Sequence, residues 1–498
     1  MHTLLLFPED TEIPNNMNSS TSPLVFPDVI IGLWQVADME RRNPRYDSQK
    51  AVAHLEAYLD AGLPFFDMAD HYGSAELISG ALREKRRREG KSLPILATKW
   101  VPEPGLPSRE MVRAAVEKSM KRLQTDCIDL MQFHAWDYTH PGWMETMFHL
   151  DDLRKKGLIR ALGVTNLDTV HLRMAVDSGI PIVSNQIAHS LLDQRAVQEM
   201  YAYCTANGIR LLAYGTVAGG FLSEKWLGKP EPVAETLETW SLMKYKRFLD
   251  LCCDWQSFQQ ILQELHRLSR KVDLTISQLA SAFIRNQRTG NSVIIGARLG
   301  ESEHIEANRA LLHRDLPNEL IEEVKALLKP LGSIPGDCGD EYRKPPFLTA
   351  SGDLRHHLDT LPAPYVSEMQ DEDRYRASSG TVWESFAGYS RAVRKGKQIF
   401  LSGTTATQGN RLVGGLSAAS QMEFILDKME GALRSMNGTI EDVVRTRVYV
   451  ANARDWEAVA RVHGRRFGNI RPANTLVIAG LIGEEYLVEV EMDAVAAN

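Results

Sequence analysis

At 498 residues the chain exceeds one ordinary hydrophobic core, so two or three domains are expected. Its formal net charge of −7 leaves no general basic face for nucleic acid, and no apolar run is long enough to span a membrane. Five cysteines, an odd set with neither a CxxC pair nor zinc-ligand spacing, imply no metal and no disulfide framework and point to a reducing, cytoplasmic setting.

The first 27 residues are read as an extension without a basic n-region or long h-region, so no secretory leader is expected. From about Asp28 to Pro330, short apolar runs alternate with longer amphipathic segments. The runs are VIIGLW, LPFFD, PILATKW, IDLMQFH, IRALGVTN, IPIVSNQ, IRLLAYG and NSVIIGAR. Segments such as SREMVRAAVEKSMKRLQ lie between them, with apolar residues at helical spacing. Eight strands alternating with helices predict an α/β fold, a (β/α)₈ TIM barrel over residues 28–330. A Rossmann sheet is the weaker alternative, because no GxGxxG follows the first strand. The basic run REKRRREGK, Arg83 to Lys91, reads as the solvated end of a helix, with an anion site as the alternative. Between the seventh and eighth strands, WSLMKYKRFLDLCCDWQSFQQILQELHRLSRKV predicts helix inserted over the barrel mouth, with Met243, Tyr245, Phe248 and Trp255 read as packing.

Residues 331–381 are rich in Pro, Gly and acids, as in IPGDCGDEYRKPPFLTASGD, and read as a linker. Strands and helices return over 382–498 in an order that predicts a separate small α+β domain: SRAVRKGKQIFLSG, AASQMEFILDKMEGALRSMNG, VVRTRVYVA, DWEAVARVHGRRFG, NTLVIAG and LVEVEMDAVA.

The stretch FDMADHYGSAE, Phe66 to Glu76, places two Asp, a His and a Tyr directly after an apolar run. Other strand ends carry Lys99 in ILATKW and His134 in DLMQFHAWD. Each of Asp67, Tyr72, Lys99 and His134 has a bland reading as a capping Asp, a wet Tyr, a snorkelling Lys or a satisfied core His. Four on consecutive strand ends are harder to dismiss, since unpaired buried charge is costly. Together they suit carbonyl reduction. Asp67 pairs with Lys99, whose ammonium lowers the Tyr72 pKa; Tyr72 protonates the carbonyl oxygen, and His134 orients it. With no metal and no covalent-nucleophile motif, such a site needs a hydride donor, hence a nicotinamide cofactor. Trp34, Trp100 and Trp136, at or just past strand ends, read as an aromatic substrate wall, or else as core packing.

On these residues the sequence resembles the aldo-keto reductases over roughly 28–330. FDMADHYGSAE is similar to that family's Asp-x-Ala-x-x-Tyr-Gly motif, and ATKW and LMQFH are similar to its Lys and His strands. The resemblance implies the tetrad Asp67, Tyr72, Lys99 and His134. It implies that Asn166 and Gln186 hold the carboxamide, that Tyr214 stacks on the nicotinamide, and that Gly215, Gly220 and Lys225 lie along the pyrophosphate. At the adenosine end it implies Arg298 facing the 2′-phosphate and Asn308 at adenine, favouring NADPH with NADH possible. A surface Arg at a helix start is the other reading of Arg298. Leu299 and His304 depart from the family's usual hydroxyl and Arg.

The C-terminal part resembles the RidA family of reactive-intermediate deaminases across roughly Ser385 to Ala496, which implies a chorismate-mutase-like fold. GYSRAVRKGKQIFLSG, RPANTLV and YLVEVEMDAVA carry the likeness. Where the deaminases have a carboxylate-clamping Arg, this chain has Asn474; Glu489 or Glu491 corresponds to the family's acid. The resemblance also implies a homotrimer formed through this domain. Three functions follow for comparison: an NADPH-dependent reductase of a small carbonyl compound with a binding or assembly domain, a bifunctional reductase and imine deaminase, and a cofactor-sensing regulator.

Overall fold

Eight parallel strands close into a barrel in chain order: β1 (Val29–Gly32), β2 (Phe65–Asp67), β3 (Ile95–Trp100), β4 (Ile128–His134), β5 (Ile159–Thr165), β6 (Ile182–Ala188), β7 (Arg210–Tyr214) and β8 (Asn291–Gly296). These are the eight runs read from the sequence. The computed structural model describes residues 23–497 apart from 44–45, 103–104, 288–289, 302–303, 313 and 350–360, so most of the N-terminal extension lies outside the described residues.

Successive side chains on a strand point to opposite faces, and this sorts the barrel into two cores. Ile30, Phe65, Ala97, Leu130, Ala161, Leu212 and Ile294 meet inside the barrel, with Phe26 below them. Their sequence neighbours, such as Ile31, Phe66 and Met131, pack outward under the helices. The same alternation carries Asp67, Lys99 and His134 inward at the C-terminal ends of β2, β3 and β4. It also turns Trp100 outward.

The long insertion forms two helices, Trp240–Cys252 and Trp255–Arg270. Residues read as linker do more than connect. Asp340–Tyr342 make a buried turn at the barrel mouth, where Arg195 donates to Glu341 at 2.9 Å and Arg343 donates to the Asn166 carbonyl at 2.6 Å. Gly339 belongs to the approach itself: its φ is 86°, and a Cβ there would sit 2.0 Å from the Asn166 carbonyl oxygen. Polar, Gly-rich composition served a tight turn whose Glu341 and Arg343 are held by the barrel and whose Asp340 pairs with Lys344 of the same segment, which a linker reading does not anticipate.

The same segment supplies β9 (Val366–Asp371) and β10 (Arg374–Ser378) to the C-terminal sheet. Further on come β11 (Ala392–Lys395), β12 (Gln398–Thr405), the short hairpin β13 (Thr407–Gln408) and β14 (Arg411–Leu412), β15 (Val443–Val450), β16 (Ala473–Ile478) and β17 (Val488–Val495). The sheet order is β16-β15-β17-β12-β11-β10-β9. On β15 and β17 the apolar set, including Val448, Val450, Val490 and Met492, is buried in the domain's own core with residues of the helices Ala418–Ser435 and Trp456–Phe467. The apolar alternation of VVRTRVYVA and LVEVEMDAVA is thus used within the domain.

Helix Ala418–Ser435 also docks on the barrel. His171 lies between Asp168 of the barrel, 2.6 Å away, and Asp427 of the tail at 3.0 Å. Arg411 pairs with Asp152 at 2.7 Å, and Arg434 with Asp137 at 2.7 Å. Gly431 lets the helix approach this closely, since a Cβ would stand 2.2 Å from the Thr139 carbonyl oxygen. Burial pushes the His171 pKa down, but the two carboxylates outweigh it and hold the pKa up at about 9.

Candidate active site

The loop after β2 is tied to β3, which is what brings Tyr72 over Lys99. Met68 N–H donates to the Ala97 carbonyl and Asp70 N–H to that of Lys99, both at 2.9 Å; the turn closes with Tyr72 N–H on the Ala69 carbonyl. Lys99 Nζ donates to Asp67 Oδ2 at 2.7 Å and lies 5.0 Å above the Tyr72 ring. Asp67 Oδ1 accepts from the side-chain amides of Gln132, at 2.9 Å, and Gln186, at 2.7 Å. Burial pushes the Lys99 pKa below its usual value, against the pull of Asp67 and Asp70. The Asp67 pair is therefore what holds a charge beside the phenol.

On the next strand His134 Nδ1 lies 3.2 Å from the Thr165 carbonyl and 3.5 Å from Asn166 Nδ2. Asn166 occupies the left-handed region at φ 55° and accepts from the Tyr214 hydroxyl at 2.9 Å. Beyond β7 the chain turns through Gly215 at φ 75° and Gly220 at φ 103°, conformations that a side chain resists.

One cleft of about 740 Å³ collects this chemistry. Every candidate residue lines it except Trp100, which is buried on the outer face and packs on Phe133 with ring centroids 6.1 Å apart. Trp34 and Trp136 do form walls, Trp34 edge-on to Tyr72 at 5.0 Å and Trp136 edge-on to His134 at 4.1 Å. Gln186 faces Asp67 here, so the carboxamide role implied for it requires that bond to be shared or exchanged. At the far end lie Arg298, which makes no ion pair among the described residues, and Asn308, whose buried amide nitrogen has no partner among them. Leu299 is buried in the core, while His304 is exposed at the cleft.

Among the lining residues that escaped sequence reasoning are Trp240, Lys244 and Tyr342, and Tyr245, read as packing, lines the cleft as well. Trp240 and Lys244 are four apart on the inserted helix, one face by spacing, and that was the available signal. Tyr342 comes from the segment read as linker and had none.

The aldo/keto reductase family model matches residues 28–329. The chain belongs to that family. It is accordingly an oxidoreductase. The chain is 29% identical over 296 residues to the uncharacterized oxidoreductase YqkF of Bacillus subtilis, covering 56% of this chain and 87% of that protein. A solved glycerol dehydrogenase from Gluconobacter oxydans shares the fold, at 22% identity and a TM-score of 0.52 over 65% of this chain and 97% of that one. Residues 381–496 match the model described as Endoribonuclease L-PSP, and the tail is a RidA-like α+β unit. An uncharacterized protein of Streptomyces coelicolor, SCO2049, is 38% identical over 127 residues, 25% of this chain and 95% of that protein. Among the described residues of this aldo/keto reductase, no helix is long and apolar enough to cross a membrane.

Proposed function

We propose that this aldo/keto reductase interconverts a carbonyl compound and its alcohol with NADPH, using Tyr72 as the general acid. The observation that carries this reading is the Asp67–Lys99 pair at 2.7 Å with its ammonium 5.0 Å over the Tyr72 ring, beside His134 in one cleft. The cleft suits a nicotinamide dinucleotide. Its far end offers a buried Asn308 amide nitrogen without a partner and a cation at Arg298 that no carboxylate engages, both among the described residues, and its middle offers the Gly215–Gly220 turn and Lys225. Bound there, NADPH would supply hydride. Asn166 and Gln186 present amides for its carboxamide, and Tyr214 an aromatic face.

Tyr72 releases its phenolic proton to the carbonyl oxygen, and the Lys99 ammonium stabilises the phenolate that results. His134 orients the same oxygen. Its ring is held by Nδ1, which lies 3.2 Å from the Thr165 carbonyl and 3.5 Å from Asn166 Nδ2, and this leaves Nε2 to meet the carbonyl. Trp34 and Trp136 exclude water and hold an apolar or planar substrate body.

Asn474 supports a non-catalytic tail. Its side-chain nitrogen donates to Thr446 Oγ1 at 2.9 Å, and a neutral amide cannot make a bidentate carboxylate clamp. The tail is read as a binding and assembly unit that makes a homotrimer, supported by the RidA likeness and by the exposed Trp383, Phe386 and Phe400. Light scattering on the full chain tests this, and a monomer overturns it. For the reductase itself, aldehydes, ketones and sugars are assayed by nicotinamide absorbance with NADPH and NADH. Cofactor consumption with an aldehyde or ketone is expected; a fully inert panel would reject the reading.

A further inference from the structure

Lys244 is 7% exposed, yet it lines the cleft and has no carboxylate within ion-pair distance among the described residues. The nearby Glu341 is engaged by Arg195 at 2.9 Å. What surrounds the ammonium instead is aromatic. Its nitrogen lies 4.9 Å from the Tyr214 ring centre, 5.0 Å from Tyr342, 5.6 Å from Tyr245 and 5.9 Å from Phe248. It donates to the Tyr342 hydroxyl at 2.9 Å and, more weakly, to that of Tyr214 at 3.5 Å.

A cage of π faces and phenol oxygens stabilises a cation without neutralising it. Burial pushes the Lys244 pKa down, but Tyr342, Tyr245 and Glu341 more than reverse this, so the side chain stays charged. Buried lysines are ordinarily paired. This one brings a positive charge with no ion-paired carboxylate among the described residues to the wall of a cleft already rich in aromatic surface. Tyr342 reinforces it: an oxygen that accepts from an ammonium is a better O–H donor to a third group. The Tyr342 ring stands edge-on to His134 at 5.0 Å, so a single aromatic ring separates the ammonium from the group that orients the carbonyl.

We propose that Lys244 and Tyr342 form an anion subsite, and that the carbonyl substrate carries an anionic oxygen group, such as a carboxylate, several bonds from the reacting carbon. The proposal rests on carbonyl reduction in this cleft and specifies the substrate class. Lys244 and Tyr342 set specificity; neither takes part in the proton transfer.

The test compares 4-carboxybenzaldehyde with its methyl ester, using the full chain and NADPH. Charge-assisted hydrogen bonds give an expected acid-to-ester ratio of kcat/KM that falls roughly 10- to 100-fold in Lys244→Met and is largely kept in Lys244→Arg. An unchanged ratio in Lys244→Met overturns the subsite. So does an unchanged ratio accompanied by a tenfold weaker NADPH Kd, which would assign the ammonium to the cofactor's pyrophosphate. If neither aldehyde is reduced, the reductase reading is what has failed, and benzoate titrated against tryptophan fluorescence still reads the subsite. Binding weakened tenfold or more in Lys244→Met then supports it, and equal binding, or none to the parent chain, overturns it.

Discussion

Both halves of the molecule crowd ionisable side chains onto strands, and in the barrel those side chains line a deep cleft. At the mouth, Asp67, Lys99 and His134 point inward from parallel strands onto one volume, walled by Trp34 and Trp136. On the open tail sheet, Arg447 lies 3.2 Å from Asp493 and 3.6 Å from Glu491, and Glu491 also accepts from the Tyr449 hydroxyl at 2.6 Å. There the charges stand side by side and are spent on one another. Closure of the sheet, more than the choice of residues, turns strand-borne charge into a site.

The sharpest break of this contrast is Tyr72→Phe. On the proposed mechanism, removing one oxygen deletes the proton that passes to the carbonyl but leaves the aromatic wall against Trp34 in place. Turnover is expected to fall by about 10²-fold or more, with NADPH affinity nearly unchanged in a fluorescence titration. Near-parental turnover would remove Tyr72 from the acid role.

Next in size is the seam between the two halves. Tyr138 stacks on His171 at 3.4 Å and carries Arg343 over its other side at 4.1 Å, so the mouth turn and the tail share one stack ending at Asp427. His171 is raised from 6.5 to about 9, which corresponds to roughly 3 kcal/mol of folded-state stability. Because the folded pKa is the higher one, that stability is full below about pH 6.5 and is lost as pH rises through about 9. Thermal unfolding of the full chain should show this loss, and Asp427→Asn should lower the melting temperature and flatten the pH dependence. An identical pH profile in the variant would mean that the seam does not depend on this pairing.

Much of the barrel was legible because period-two strands and helical spacing are local signals. Asp67, Lys99 and His134 followed from where strands end. Trp100 was misassigned as wall because end-of-strand position was used without phase: one residue after inward Lys99, it faces outward. Tyr342 and Arg343 were illegible for a different reason. Their place is fixed by long-range bonds to Asn166 and Lys244, and nothing in DCGDEYRK encodes those partners. On the tail, alternation revealed the strands but not which layer would cover them.

A smaller effect is expected from Arg298→Ala, which probes the barrel's own far end. Only NADPH carries the 2′-phosphate, so its Kd should rise roughly tenfold while that of NADH changes little, with the difference shrinking at high salt. Equal weakening of both cofactors would make Arg298 structural.

The smallest effect is expected where the tail most resembles an enzyme. Asn474 is held by Thr446 and lies 3.5 Å from His463 Nε2, so its amide is committed inside the domain. Arg471, three residues earlier, sits at φ 53° and donates through Nε to the Gly468 carbonyl at 3.1 Å, closing its own turn. Neither residue is among the groups that act on Glu489, whose pKa burial and Glu491 push up against the pull of Arg391. Asn474→Ala should therefore leave carbonyl reduction within about twofold, as expected for a surface change remote from the barrel mouth. Ammonia release from a freshly generated imino acid should stay at background in the parent chain. Rapid release that disappears in Arg471→Ala would show that the clamp has moved along the loop, and the contrast between a working barrel mouth and a self-satisfied tail sheet would then fail.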